Sequence, residues 1–134
     1  MNEIQKVADY LEKTGIFYMT TVNGMQPKCR PVGLFLLKDD VLYFGVGTFK
    51  EVYRQLVENP YVEICACQGS SWLRYYGKAV FEKDDVIAKI ALEKNASLQS
   101  IYNEETGNIL GMFHLEEATA EFRGVLDVKE KITF

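Results

Sequence analysis

The segment Leu42–Pro60, LYFGVGTFKEVYRQLVENP, contains the junction from which the fold and the function of this chain can be argued. A strand-like apolar run passes through Gly-x-Gly-Thr-x-Lys and continues with a helical pattern. Thr48 and Glu51 have the spacing of a capping box, in which a threonine hydroxyl accepts a hydrogen bond from the first helical turn. The pattern predicts a helix that begins at Phe49 and ends before Pro60, because proline disfavours helical geometry in the residue before it.

The same junction has features of a phosphate site. A helix beginning at Phe49 would direct its first amides and the positive end of its dipole toward Gly45-Val46-Gly47, where glycines let a ligand approach the backbone. Lys50 would lie in the first turn, where a carboxylate is normally favoured, and a bound anion would resolve that conflict. The motif is neither a P-loop nor the dinucleotide fingerprint. A phosphate site and a capped helix after a glycine turn therefore both remain open.

Composition favours one domain with its own core. The chain has 134 residues, 48% of them hydrophobic, and a net charge of -4. This is enough for a core without disulfides, so we treat residues 1–134 as a single domain. No run of about 18 or more apolar residues is present and the N-terminal segment is charged, so we expect a cytoplasmic protein with no membrane association. The acidic charge argues against nucleic acid as a partner.

The cysteines do not suggest a disulfide framework, because Cys29, Cys65 and Cys67 are an odd number. Cys65 and Cys67 lie two apart in a strand-like run, which places their Cα atoms about 7 Å apart, beyond the usual disulfide span. One interpretation is a metal or redox pair. The favoured one is small apolar residues on a buried strand face, with no metal, because zinc wants four ligands and His114 is the only histidine.

The first part of the chain predicts one helix and three strands. Apolar residues at helical spacing indicate a helix over residues 3–13, with a weak capping box at Asn2 and a stop at Gly15. Residues 16–46 contain three strand-like runs separated by turn-forming residues. Two prolines, Pro27 and Pro31, lack amide donors and place the second strand at an edge.

The rest of the chain predicts strands at about 61–68 and 72–82, a helix of about ten residues, a second short helix capped by Ser97, and closing strands broken at Gly124. Six or seven short strands with three or four helices lack the strict alternation of a parallel sheet. The pattern therefore favours a mostly antiparallel barrel with helices packed outside.

Two other segments bear on a ligand. Arg30 lies in a strand otherwise directed toward the core and needs a partner, for which a phosphate is well suited. The segment WLRYYGKAVF clusters Trp72, Arg74, Tyr75 and Tyr76, which could supply ring edges and a cation to a flat aromatic ligand. Cross-strand aromatic packing with Arg74 in solvent is the alternative.

Together these segments resemble the small flavin-binding split β-barrel proteins related to pyridoxamine 5′-phosphate oxidase. The order Arg-Pro-Val, aromatic strand, Thr-x-Lys, Asn-Pro-x-Val and Gly-Lys-Ala is similar over nearly the whole chain. The resemblance implies a mainly β fold with flanking helices, a six- to seven-stranded mostly antiparallel split β-barrel. It also implies a homodimer with FMN bound at the subunit interface.

The resemblance further implies which residues bind FMN. The matching residues are Arg30, Pro31, Val32, Gly33, Tyr43, Phe44, Thr48, Lys50, Trp72 and Arg74. The first four would border the isoalloxazine ring, with Arg30 reaching the phosphate. Thr48 and Lys50 would bind the phosphate, and the last two would come from the neighbouring subunit. Phe49 departs from the pattern, in which a second basic residue often precedes the lysine.

The C-terminal segment departs from the true oxidase, which recognises its phosphorylated vitamin substrate with Arg-x-His. Here Arg123 is followed by Gly124 and Val125, so we do not expect that reaction. The hypothesis is instead an FMN-dependent oxidoreductase, in which NAD(P)H reduces the flavin and the flavin reduces a nitro compound, a quinone or a free flavin. No catalytic residue is identifiable.

Two alternatives stay open. One is a non-catalytic module that binds flavin, deazaflavin or haem on the same barrel, with His114 as the sole histidine for haem. The other is a structural dimer with a degenerate site. For His114 itself, a packed or surface strand position is the favoured interpretation.

Overall fold

A computed structural model describes residues 2–134 and shows a mainly β fold with flanking helices, as predicted. In chain order the elements are α1 (Glu3–Thr14), β1 (Phe17–Asn23), β2 (Gln26–Val32), β3 (Phe35–Lys38), β4 (Val41–Gly47), α2 (Glu51–Glu58), β5 (Tyr61–Gln68), β6 (Ser71–Phe81), α3 (Val86–Lys94), a 3₁₀ helix (Ala96–Ser100), β7 (Leu110–Arg123) and β8 (Val128–Thr133). Across residues 2–134, no helix combines the length and the apolar character needed to cross a membrane.

The sheet is a curled antiparallel half-barrel. Its strands lie in the order β2-β1-β5-β6-β7-β4-β3, with β8 on β7. The two end strands, β2 and β3, are separated in the chain only by Gly33 and Leu34. Because consecutive Cα atoms are about 3.8 Å apart, the sheet must curl until these edges approach each other. The rings of Phe17 in β1 and Phe35 in β3 accordingly meet at 6.2 Å between centroids. The split β-barrel is therefore confirmed.

The first half of the sheet contains one strand more than its sequence pattern indicated. Four strands, β1 to β4, occupy the region predicted to hold three, and the described sheet has eight in all. The additional break falls at Gly33-Leu34, where the chain crosses from one barrel edge to the other instead of making a hairpin turn. The prediction that β2 is an edge strand is confirmed.

Local capping signals were correct for α1 and wrong for α2 and the 3₁₀ helix. At α1, the Asn2 side chain accepts a hydrogen bond from the Gln5 amide at 2.9 Å, and Gly15 ends the helix with a φ of 80°. The predicted capping box at Thr48 is wrong, because α2 begins at Glu51 after Lys50. The Thr48 amide instead donates to the Ile109 carbonyl at 2.9 Å. A turn thus separates β4 from α2.

The second short helix is also capped differently from the prediction. It is a 3₁₀ helix that begins at Ala96, preceded by Asn95, so Ser97 lies within it. The Asn95 side chain donates to the Ala91 carbonyl of α3 at 2.7 Å. This bond couples the 3₁₀ helix to the end of α3.

The core lies between the curled sheet and helices α1 and α2. Its largest fully buried side chains include Phe17, Phe44 and Phe113. On β5 the core face carries Val62, Ile64 and Ala66. The intervening side chains point outward, since strand residues alternate between faces.

The prediction that Cys65 and Cys67 occupy a buried strand face is therefore wrong. Cys65 is half-buried and Cys67 exposed, on the side of β5 opposite the core. Both thiols are free, as is that of the exposed Cys29.

Candidate functional site

A cavity of about 370 Å³ lies beside the split in the barrel, between β2, the end of β4, the start of α2 and the 3₁₀ helix. We call it the split-edge cavity. The predicted site residues that line it are Arg30, Pro31, Val32, Gly33 and Lys50. Gly45 and Gly47, which the sequence also placed next to a possible phosphate, line it as well. The sequence did not indicate the remaining lining residues, which include Leu34, Asn95, Ser97, Leu98 and Tyr102. Its volume is within the range of small-molecule sites, about 300–1,000 Å³.

Arg30 is held at the cavity wall by the protein itself. Its guanidinium donates to the Thr21 hydroxyl at 2.8 Å, the Gln55 side-chain oxygen at 3.1 Å and the Met19 carbonyl at 3.2 Å. Thr21 and Gln55 are fully buried and bonded to each other at 2.6 Å. The partner that the sequence required for Arg30 is therefore supplied by the protein, and a phosphate ligand of Arg30 stays a prediction. Burial lowers the pKa of Arg30, but arginine stays charged in proteins and some of its five N–H donors remain free.

Lys50 is the second cation of the split-edge cavity. It is the residue immediately before α2, and its side chain caps no backbone group. Among the described residues no carboxylate lies within ion-pair distance of it. Its ammonium instead lies 5.9 Å from the centre of the Phe49 ring. The charge of Lys50 is thus uncompensated by protein and available to an anion.

The glycines of β4 serve close packing around the cavity. A Cβ atom on Gly45 would lie 2.6 Å from a Leu34 methyl carbon, and one on Gly47 would lie 2.9 Å from the Tyr102 hydroxyl oxygen. Larger residues at these positions would displace side chains that form the wall. Glycine is therefore required here to make room for those neighbours.

Three predicted site residues do not present their side chains to the split-edge cavity. Phe44 is fully buried in the core, where its ring packs against that of Phe113 at 5.9 Å. Tyr43 is buried on the opposite side of β4 in a cluster with α3. The methyl group of Thr48 packs toward Gly111 of β7. Any contact of these residues with a ligand in the cavity would have to come from their backbone.

Trp72 and Arg74 lie on the outer face of the sheet, which we define by Tyr18, Cys65, Arg74 and Tyr76. The Arg74 guanidinium donates twice to Glu63, at 3.0 and 3.2 Å, so it is paired and not free in solvent. Trp72 is half-buried and does not line the split-edge cavity. Within one subunit, these two residues are separate from the predicted site.

The outer face also carries a nearly buried carboxylate. Glu121 accepts hydrogen bonds from the Tyr76 hydroxyl and from Arg123. The bond from Tyr76, followed by that from Arg123, lowers the pKa of Glu121, and the same contact raises the pKa of Tyr76. Arg123 is therefore paired with Glu121. It stands at the position where the substrate motif of the true oxidase would begin.

A groove of about 520 Å³ on the outer face is larger than the split-edge cavity. It is lined by Tyr61, Tyr76 and Lys78 among others. The Lys78 ammonium is 2.6 Å from the Glu117 carboxylate, which leaves the groove without an unpaired cation. The split-edge cavity is for this reason the better site for an anionic ligand.

His114 is a packed strand residue, as favoured from the sequence. Its ring contacts Tyr43 edge-on at 6.1 Å, and its Nε2 lies 3.3 Å from a Glu116 oxygen. It does not line the split-edge cavity. Within residues 2–134, no three His, Cys, Asp or Glu side chains are grouped as a metal site would require.

The split-edge cavity fits a phosphate-bearing flat ligand such as FMN. Lys50 and the free donors of Arg30 suit a phosphate, and Asn95, Ser97 and Tyr102 add neutral polar groups. Leu34, Val46, Leu98 and Leu110 supply apolar wall for a ring system. Residues 95–102 reach the cavity only because the chain returns over it between β6 and β7, a long-range contact without a local sequence signal.

Comparison with known proteins agrees with this description. The family model for pyridoxamine 5′-phosphate oxidase matches residues 4–122. No curated protein sequence matches the chain. A NimC/NimA family protein from Clostridium acetobutylicum superimposes with a TM-score of 0.87 at 23% identity, over 100% of this chain and 95% of that one.

Two more distant structures share the fold. A pyridoxamine 5′-phosphate oxidase-related, FMN-binding protein from Nostoc punctiforme gives a TM-score of 0.61 at 14% identity, over 95% of this chain and 86% of its own. A haem-binding protein from Mycobacterium smegmatis gives 0.69 at 15% identity, over 99% of this chain and 59% of its own. At 14% and 15% sequence identity, these two structures show only that the fold is shared.

Proposed function

Because this chain belongs to the pyridoxamine 5′-phosphate oxidase family, we propose that it is an FMN-binding oxidoreductase. It passes electrons from NAD(P)H to a small electrophile such as a nitro compound, a quinone or a free flavin. One observation carries the proposal: Arg30 and Lys50 border the same apolar-walled cavity, and neither forms an ion pair with a carboxylate among residues 2–134. The FMN-binding protein from Nostoc punctiforme, which shares this fold, supports the choice of cofactor.

The chain's own residues would bind and shield the cofactor. Lys50 and the remaining donors of Arg30 would hold the phosphate, with Asn95 and Ser97 as neutral donors beside them. Leu34 and Leu98 would cover the ring and exclude water. When bound, FMN itself supplies the hydride and electron chemistry, which explains why no acid-base pair is needed in the cavity.

We also propose a homodimer that packs through the outer face of the sheet. Tyr18 and Tyr61 are 48% and 58% exposed there, and a partner subunit would cover this aromatic surface. A partner seated on this face would bring a second Trp72 and Arg74 toward the edge strand β2. The outer face would then be buried in a cytoplasmic dimer, and the split-edge cavity would be completed by the partner.

Haem is a weaker candidate for this cavity, although one relative is described as haem-binding. The sole histidine, His114, lies outside the cavity wall and its Nδ1 is buried without a hydrogen-bond partner in the described chain. A deazaflavin remains an alternative, because a phosphate on its tail would meet the same two cations. Oxidation of a phosphorylated vitamin is not proposed, since Arg123 is bonded to Glu121.

A visible absorption spectrum of the purified protein tests the proposal. We expect a yellow protein, or uptake of added FMN, with bleaching of the flavin band when NADH or NADPH is added without oxygen. A colourless protein that takes up no FMN would contradict the cofactor assignment. If the protein binds flavin but neither NADH nor NADPH reduces it, the oxidoreductase assignment is contradicted. The protein would then be a flavin-binding module without this activity.

A further inference from the structure

Tyr102 lines the split-edge cavity, and its hydroxyl group is not engaged by any of the described residues. The residue is half-buried and follows the 3₁₀ helix, where its amide donates to the Leu98 carbonyl at 3.0 Å. Its hydroxyl oxygen lies 2.9 Å from the position of a Cβ atom on Gly47, against the end of β4. Within residues 2–134 this hydroxyl makes no hydrogen bond.

The ring of Phe49 packs beside Tyr102. Tyr102 packs against Phe49 with the ring centroids 6.2 Å apart and the planes inclined by 47°. The same Phe49 ring has the Lys50 ammonium 5.9 Å from its centre. The Lys50 ammonium and the Tyr102 ring are thus both neighbours of the Phe49 ring, and Lys50 and Tyr102 line the same cavity.

The chemistry of the hydroxyl favours a donor role. Burial raises the pKa of Tyr102, so the group is protonated at neutral pH and can donate. The hydroxyl has no acceptor among residues 2–134, so it can donate to a ligand in the cavity, and a hydrogen bond to a charged acceptor is stronger than one to a neutral group. Because the Lys50 ammonium lines the same cavity, the acceptor that fits best is an anionic oxygen.

We propose that the Tyr102 hydroxyl donates a hydrogen bond to the phosphate of the bound flavin nucleotide, which makes Tyr102 and Lys50 joint determinants of specificity for FMN over riboflavin. The inference rests on the proposed function. Phe49 is then the residue that orients both groups. It occupies the position where a second cation would otherwise stand, and Tyr102 supplies a neutral donor in place of that charge.

The test measures the affinity of Tyr102→Phe for FMN and for riboflavin by quenching of flavin fluorescence. Loss of a hydrogen bond to a charged acceptor should weaken FMN binding roughly tenfold or more. Riboflavin, which lacks the phosphate, should bind as it does to the wild type. Tyr10→Phe is the matched control, because the Tyr10 hydroxyl is buried without a partner and lies outside the cavity.

Each result decides between the possibilities. Unchanged FMN affinity in Tyr102→Phe, or an equal loss for FMN and riboflavin, would overturn the phosphate contact while leaving the cofactor assignment intact. A wild-type protein that binds riboflavin as tightly as FMN would also overturn it. Failure of the wild type to bind either flavin would overturn the proposed function, and this inference with it.

Discussion

The Arg30 guanidinium of β2 donates to the side-chain oxygen of the buried Gln55 on α2 at 3.1 Å, and so ties the edge strand of the barrel to a helix. Thr21 of β1 completes the arrangement by bonding to both side chains. The cation at the cavity wall is therefore part of the folded framework before any ligand arrives. A binding site built on such a preorganised charge loses less entropy when its ligand binds.

From this network we predict that Arg30→Ala destabilises the ligand-free protein by about 1–3 kcal/mol, because buried Gln55 and Thr21 lose a charged donor. Arg30→Lys should recover only part of the loss, since an ammonium cannot reproduce the planar arrangement of donors. Urea denaturation of the apoprotein measures both. An unchanged transition in Arg30→Ala would show that the network contributes little to stability.

Lys50→Ala, unlike Arg30→Ala, should leave the stability of the ligand-free protein unchanged and weaken FMN binding. The side chain caps no amide and forms no ion pair among residues 2–134, so the unfolding transition should stay near that of the wild type. FMN affinity should fall by about 1.5–3 kcal/mol, or roughly ten- to a hundredfold, if the ammonium holds the phosphate. Lys28→Ala, on the same edge strand as Arg30 but outside the cavity, is the control. Equal FMN affinity in both variants would exclude Lys50 as a phosphate ligand.

These two residues show how far the sequence alone could lead. Arg30 and Lys50 were identified because a cation in a strand and a cation in a first helical turn are locally anomalous. The partners of Arg30 were not, because Gln55 and Thr21 reach it only when α2 packs on the curled sheet. Local patterns identify the residues that need a partner, and the fold decides which partner they receive.

The same distinction accounts for the errors in the fold. The Asn2 cap and the edge position of β2 depend on neighbouring residues and were predictable. The start of α2 was not, because the Thr48 amide is taken by Ile109, far along the chain. The orientation of Cys65 depends on which face of β5 meets the core, and the alternation of the strand is compatible with either face.

Glu121 should make the free energy of unfolding depend on pH in the acidic range. Its pKa is lowered in the folded state, from an ordinary value of 4.5, by the Tyr76 hydroxyl and by Arg123. A carboxyl whose pKa is lowered by folding stabilises the protein fully when the pH is above the pKa of the unfolded state. That stabilisation is lost as the pH falls through the lowered pKa of the folded state. Glu121→Gln should therefore show a smaller loss of stability between pH 7 and pH 3.

Thermal unfolding midpoints across that pH range provide the measurement. Glu104→Gln is a suitable control, because Glu104 is exposed and lies outside the ion pairs of the described chain. Parallel pH curves for wild type and Glu121→Gln would mean that the carboxylate is no better stabilised in the folded protein than in the unfolded one.

The proposed dimer gives a prediction about the outer face. Tyr61 lines its groove, and an added cation there would lie beside Lys78, whose ammonium is 5.5 Å from the Tyr61 ring centre. Tyr61→Arg should therefore shift the protein from dimer to monomer in sedimentation velocity and weaken FMN binding, because the partner would no longer complete the cavity. Val57→Arg, which places the same charge on an equally exposed position of α2, should leave the dimer intact. A wild type that sediments as a monomer at micromolar concentration, yet binds FMN, would show that one subunit suffices for the site.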